Sequence, residues 1–489
     1  MNVMSIPKFA SEVAQYEAYD FPRYRGNPMV EALRLSTLFN GDLSKDGLLK
    51  RIEHMPIKPD RSVRLADELI RETELDALCE VVYARPAYRQ AVPAILRTVM
   101  NAYARRVWCS VDAVALRYQL ATLQPTDIFN DKHLNQSDRF VIGHRGTAGG
   151  FGVFGSTGSG KTTLVNAICE LLGRVISHGS YNGHALDMLQ IPVLHMSVPH
   201  DSTIRGFLLQ FAAIVDHHLG EQLYEKQVRS LKTIADAALL MLRICASINL
   251  GALIVDDLQN LRAARGAGVD LALNLLALLI DFGTSVITLA TPAVGNLLVT
   301  RTRNTRKLIS NGYIELGMMA PGSAESRGFQ DAHWNYQYTS KHTPISPKLR
   351  KAWEQAGAGN PAFSTLAYKL AQTHLIGEKD ERITPELFDY VSHVDMAPLR
   401  PAIDALLSGD PFLLGQFDDL IFKEELRELF RKIKMEIPDA GGGEEPFDDE
   451  PDKRSATRVA PRKRNRPMTP VQRAKDLPVE DPLTLMSLH

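Results

Sequence analysis

An α/β core carried between two helical regions is the fold class this sequence predicts, and three observations predict it. Between about 138 and 320, short apolar or β-branched runs ("FGVF", "IPVLHMSV", "LGALIVDD", "SVITLAT" and "GYIELGM") alternate with longer helical patterns. Strands separated by helices imply βαβ units and a largely parallel sheet flanked by helices. A glycine-rich loop, "GSTGSGKT", follows the first of these runs and opens a helical stretch. A later run, "LGALIVDD", ends in two adjacent acids.

The elements follow in order. Residues 1–115 read as a mostly helical region, with "VRLADELIRETELDALCEVVYA" and "YRQAVPAILRTVMNAYARRVW" as its clearest helices. Residues 116–335 form the α/β core, in which "SLKTIADAALLMLRICASIN" reads as one long, half-buried helix. The most apolar window, "LALNLLALLIDFGTSVITLA", is broken by Asp281 and Gly283, so it reads as a buried helix and strand and not as a membrane span. Residues 336–415 form a small helical lid, where "ITPELFDYVSHV" begins with Thr384 as N-cap and Pro385 in the first turn. Residues 416–489 form a charged amphipathic helix, "FKEELRELFRKIKMEI", and then a tail. The tail is rich in proline and glycine and segregates an acidic from a basic block, so it is expected to be disordered and to dock partners.

Bulk composition excludes several classes. With 489 residues, 45% apolar and 23% charged, the chain is that of an ordinary globular protein of more than one structural unit. A net charge of -1 offers no global attraction to nucleic acid, so any such contact rests on local charge. Cys79, Cys109, Cys169 and Cys245 are scattered, which argues against a zinc site or a disulfide framework. The opening stretch has no signal pattern, and the expected location is cytoplasmic.

The stretch Gly155–Thr162 matches G-x-x-x-x-G-K-[ST], which with a strand before it and a helix after it predicts a P-loop NTPase core. The backbone of Gly155, Ser156, Thr157, Gly158, Ser159, Gly160, Lys161, Thr162 and Thr163 wraps a nucleotide phosphate, aided by the positive end of the helix. Lys161 pairs with the β- and γ-phosphates, and Thr162 and Asp256 are the expected Mg²⁺ ligands. Asp257 stands where many P-loop ATPases place a water-positioning glutamate, one methylene longer. The strand "SVITLAT" ends at Thr291, either a polar sensor of the γ-phosphate or a strand-end cap. In "TRTRNTRKLI", Arg301, Arg303 and Arg306 are candidates to reach a neighbouring subunit's nucleotide, or they form a solvated basic face.

Several stretches together resemble the TnsC/TniB family of AAA+ ATPases, regulators of target-selecting cut-and-paste transposons, over roughly residues 20 to 420. These are "YRGNPMVEAL", the Walker A stretch "GSTGSGKTT", "VPHDST", "LGALIVDDLQNL", "ATPAV", "ERITPELFDYV" and "PLRPAIDALLSGD". Three departures stand out: Asp257 for the usual glutamate, no arginine near the start of "GNPAFSTLAYKLAQ", and Arg34 in place of a common proline. The resemblance implies an ATPase with ATP and Mg²⁺ as cofactors. It further implies a ring or helical homo-oligomer on double-stranded DNA that bridges a target-selector protein and transposase subunits, with hydrolysis controlling disassembly.

DNA contact is expected at the phosphate backbone and not at the bases. Lys226, Arg229 and Lys232, at helical i, i+3, i+6 spacing in "YEKQVRSLKT", are the candidates for it. Two other functions share the core: a helicase loader or replication initiator, and a signalling NTPase without DNA.

Overall fold

The computed structural model describes residues 11–12, 23–24, 26–33, 41–104, 106, 118, 120, 122, 147–173, 175–263, 268–414, 416–417 and 419–420. The strands are β1 (Ser11–Glu12), β2 (Gly150–Gly155), β3 (Ile176–Tyr181), β4 (His184–Gln190), β5 (Val193–Ser197), β6 (Ala252–Asp256), β7 (Ser285–Ala290) and β8 (Tyr313–Leu316). Five of them make the central sheet in the order β5-β6-β7-β2-β8, every neighbouring pair parallel. Thus β7 lies between the strand that feeds the phosphate loop and the strand that ends in the acidic pair. All three ends therefore converge on one edge of the sheet, where open α/β folds bind ligands.

Burial on both faces explains the unbroken apolar runs. Strand β6 sends Ala252 and Ile254 into one core cluster and Leu253 and Val255 into the other, following the two-residue period of a strand. The first cluster includes α1 (Pro28–Leu33) and α2 (Tyr88–Tyr103), so the N-terminal region supplies a flanking layer of the sheet. It also includes α3 (Lys161–Leu172), the helix behind the phosphate loop. The second cluster holds α4 (Ile204–Leu219), α5 (Tyr224–Ser230), α6 (Ile234–Ser247) and α7 (Gly268–Asp281).

The "YRGNPMVEAL" element is a clasp. Fully buried Asn27 donates from Nδ2 to the Tyr103 carbonyl (2.7 Å), while its Oδ1 accepts from the Met29 amide (3.1 Å) at the start of α1. The Glu31 carboxylate accepts from the Tyr181 hydroxyl at 2.9 Å. The clasp thereby joins α2 to an antiparallel hairpin, β3–β4, that the sequence reading did not anticipate. Its signal was present: Asn182 and Gly183 both take positive φ (49° and 80°), as a two-residue hairpin turn requires.

The helix expected over 230–249 begins only at Ile234. The stretch read as a single helix from 230 breaks after α5, with Leu231 extended at ψ 139°. Arg205 donates to the carbonyls of Arg229 (3.0 Å) and Leu231 (3.1 Å), and Thr233 caps α6 by accepting from the Asp236 amide. These partners replace helical hydrogen bonds at the break. Lys226, Arg229 and Lys232 consequently do not share one helix face: Lys232 lies beyond the end of α5.

Beyond α8 (Thr302–Leu308) and β8, a helical unit comprises α9 (Ala324–Trp334), α10 (Pro347–Gly357), α11 (Pro361–Leu375), α12 (Pro385–His393), α13 (Arg400–Ser408) and α14 (Pro411–Leu414). Its core is aromatic, with buried Trp353 between Trp334 (5.6 Å), Tyr368 (4.7 Å) and Phe388 (6.0 Å). Leu75, Leu78 and Val81 from the N-terminal region complete it. A buried ion pair reinforces that junction: Arg71 donates to Glu381 through two nitrogens, at 2.6 and 3.0 Å. No helix among the described residues is long and apolar enough to cross a membrane. The amphipathic helix expected at 422–437 and the tail after it lie outside the described residues.

Candidate functional site

The phosphate loop leaves β2 and turns on two left-handed glycines, Gly158 (φ 76°) and Gly160 (φ 90°). Space forbids a side chain at either as well: a Cβ on Gly160 would lie 2.2 Å from the Tyr88 hydroxyl, and one on Gly158 2.4 Å from Asn360 Oδ1. Lys161 begins α3 and donates from Nζ to the carbonyls of Gly155 (2.8 Å) and Ser156 (2.9 Å). Burial pushes its pKa down to about 8, against the pull of the nearby carboxylates of Asp256, Asp257 and Asp419.

The expected metal ligands meet. The Thr162 hydroxyl donates to Asp256 Oδ2 at 2.6 Å, although 94 residues separate them. Burial alone would raise the pKa of Asp256, but His195, the Thr162 hydroxyl and the Asp257 amide reverse this and hold it below the usual carboxylate range. His195, on β5, places a buried Nε2 3.5 Å from Asp256 Oδ2 with no hydrogen-bond partner among the described residues. Its Nδ1 lies 3.0 Å from Asn166 Oδ1.

Asp257 is held in the left-handed region at φ 55°, a costly conformation for a residue with a Cβ. Gln259 donates to its carboxylate at 2.9 Å and accepts from the Thr291 amide at 3.2 Å, linking the acidic pair to the end of β7. Thr291 is buried and makes no capping hydrogen bond; its hydroxyl donates to Asp419 Oδ1 at 2.9 Å.

A left-handed glycine cradle, a lysine and a hydroxyl–carboxylate pair suit an Mg²⁺–nucleotide. The amides of 158–163 and the start of α3 would hold its phosphates, with Thr162 and Asp256 on the metal side.

The three arginines are not brought to this loop. Arg301 pairs with Asp270, while Arg303 and Arg306, on α8, are exposed. Lys226, Arg229 and Lys232 are exposed too, and Arg229 donates to Glu225 on its own helix.

Other residues complete the cleft without a local sequence signal. Arg85, 2% exposed, donates to the carbonyls of Ser159 (2.5 Å) and Gly317 (2.8 Å) and to Glu325 (2.7 Å). The Tyr88 hydroxyl donates to the Gly160 carbonyl at 3.0 Å. From the lid, Asn360 donates to the Thr157 carbonyl (2.9 Å), and the Ala362 amide to that of Gly158 (3.2 Å). The helix start that lacks an arginine thus docks on the loop through the residue that caps it. Beside these contacts opens a cleft of about 430 Å³ lined by Leu78, Tyr83, Thr163, Phe329, His333 and Leu366. His333 packs on Phe329, ring centroids 4.0 Å apart, and burial pushes its pKa down to about 4, so it is neutral at pH 7.

A family model described as "AAA domain" matches residues 144–298. No curated protein matches the chain. Among solved structures, the chain is similar to the Aeropyrum pernix Orc1 protein in complex with DNA, at 13% identity and TM-score 0.38, covering 67% of this chain and 83% of that one. It is also similar to Cdc6p from Pyrobaculum aerophilum, at 11% identity and TM-score 0.34, covering 64% and 88%. A third similarity is to the Thermotoga maritima RuvB Holliday junction branch migration motor, at 14% identity and TM-score 0.30, covering 57% and 68%. With its matched AAA domain, its parallel five-stranded sheet and its inserted strand β7, the chain has the fold of an AAA+ P-loop NTPase.

Proposed function

We propose that this protein is an ATPase whose nucleotide state controls its assembly on double-stranded DNA, regulating transposition in the manner of the TnsC/TniB proteins it resembles. The observation that carries the ATPase reading is the convergence of Thr162, Asp256, Asp257 and Thr291, from three strand ends, around one phosphate loop. Bound Mg²⁺ would supply charge neutralisation at the phosphates. Lys161 binds the terminal phosphates, and Asp257, oriented by Gln259, positions the attacking water. Thr291 contacts the γ-phosphate.

Arg303 and Arg306 on α8 are exposed and so can serve a neighbouring subunit, better placed for it than Arg301, which pairs with Asp270. Stretches that match the family beyond the loop, "YRGNPMVEAL" above all, support the transposition reading; a transposase and a target selector are then its partners.

Electron microscopy of the protein on duplex DNA with ATP, ADP and a non-hydrolysable ATP analogue tests this. Rings or filaments that form with the analogue and not with ADP are expected, and Asp257→Ala is expected to trap them by stopping turnover. Assembly indifferent to nucleotide would overturn the reading. ATP-dependent assembly without DNA would point instead to a signalling NTPase. Recruitment of a replicative helicase, and not of a transposase, would identify a loader. Replacing Lys226, Arg229 and Lys232 together is expected to weaken DNA binding and flatten its salt dependence; unchanged affinity would move the DNA surface elsewhere.

A further inference from the structure

The segment after α14 returns to the phosphate loop and takes up donors on the side of Thr291. The Asp419 carboxylate accepts from the Thr291 hydroxyl at 2.9 Å, and its main-chain carbonyl accepts from the Thr157 amide at 3.0 Å. The next carbonyl, of Leu420, accepts from the Ser156 hydroxyl. The negative charge of Asp419 also bears on Lys161. Leu420 anchors the contact: it is 4% exposed and packs with Leu414 and Ala405, against which Ala402, Leu406 and Phe417 also lie. An anchored carboxylate that engages a sensor hydroxyl, beside a loop amide and near the loop lysine, has the charge and the partners of a terminal phosphate.

We propose that Asp419 is a built-in substitute for the γ-phosphate, so that Asp419 and the Leu420 carbonyl beside it compete with ATP but leave the ADP portion of the site accessible. This inference rests on the ATPase reading above and adds its regulation. Asp419 bridges Thr291, at the end of β7, and the Thr157 amide, early in the loop, whereas the amides of 158–163 and the start of α3 would hold the inner phosphates. Nucleotide with two phosphates therefore needs neither donor that Asp419 and its carbonyl occupy. Nucleotide with three must displace them. A plug closed nine-tenths of the time raises the apparent Kd for ATP about tenfold and leaves that for ADP unchanged.

Asp419 is exposed, so its replacement does not threaten the core. The test uses the full chain as wild type, Asp419→Ala and Asp419→Asn, the last keeping an acceptor and removing the charge. Fluorescent ADP and a fluorescent non-hydrolysable ATP analogue are titrated against each. Amide exchange in the peptide containing Thr157 is followed without nucleotide. Both variants are expected to bind the ATP analogue about tenfold more tightly, to bind ADP within about twofold of wild type, and to exchange faster at the loop. Analogue affinity that falls or stays the same, or ADP affinity that rises equally, would overturn the plug while leaving the ATPase reading intact. Binding of neither nucleotide by any of the three proteins would overturn that reading itself.

Discussion

The two ends of the nucleotide cleft are built in opposite ways. At the loop end the surface is backbone, the amides of 158–163, shaped by the two left-handed glycines Gly158 and Gly160. At the lid end it is side chains drawn from three distant segments: Leu78 and Tyr83, Phe329 and His333, and Thr365 with Leu366. A backbone cradle needs a short local pattern, because dihedral angles and helix starts belong to neighbouring residues. A side-chain wall needs the fold to be complete before it exists. The comparison teaches that the first end can be recognised in isolation and the second only in place.

Four substitutions sharpen or break this contrast, from the largest expected effect downward. Trp353→Ala removes the centre of the aromatic cluster and is expected to cost about 3–5 kcal/mol in urea unfolding. A loss under about 1 kcal/mol would mean that the lid end is held by something other than its core.

Glu381→Gln leaves Arg71 buried without its anion and is expected to cost about 3 kcal/mol at pH 7. The same carboxyl gives a pH signature. Burial alone would raise its pKa; the hydrogen bonds from Arg71, Ser340 and Gly377 overcome this and hold it at about 2, below the ordinary 4.5. With the folded value depressed, the contribution is complete above about 4.5 and disappears as pH falls from there toward about 2. Unfolding at pH 7 and pH 3 should therefore show the gap between wild type and variant narrowing in acid. A gap that widens would refute the ion pair as its source.

Lys161→Ala is expected to weaken ATP and ADP by roughly 100-fold, the loss of charge-assisted contacts to phosphate. Nucleotide titration checks it, and a loss below about threefold would show that the cradle's amides suffice. Leu366→Ala is expected to weaken both nucleotides by about fivefold, in keeping with two or three methylene groups at a partly exposed wall. A change in the ATP-to-ADP ratio would contradict the division of the cleft, in which Leu366 lines the wall away from Thr291 and Asp419.

The same division explains what could be read in advance. The pairing of Thr162 with Asp256 was legible because each stands at the end of a strand–helix unit whose order dictates where it lies. That β7 lies between β6 and β2 is decided by the strand pairing, which the alternation alone does not dictate. The Asn182–Gly183 turn was also written in the chain, but "ISHGSY" carries no apolar alternation to pair with it. The break before α6 was not legible, because Arg205 on another helix supplies the donors that make it tolerable. Nor were Arg85 and Tyr88, which reach the loop from more than 70 residues upstream; the helical pattern that Tyr88 opens does not mark its partner.

By itself, the sequence determined the phosphate loop, the acidic strand that faces it and the α/β core that carries both. Each is specified by glycine dihedrals, strand burial and helix starts, all of them short-range. Only the tertiary structure decided that Arg85 and Asn360 brace the loop, that Gln259 ties Asp257 to Thr291, and that Asp419 sits on that threonine. Those contacts join residues whose neighbours along the chain carry no trace of the partner, since side-chain hydrogen bonds of this kind exist only once packing has set the distance.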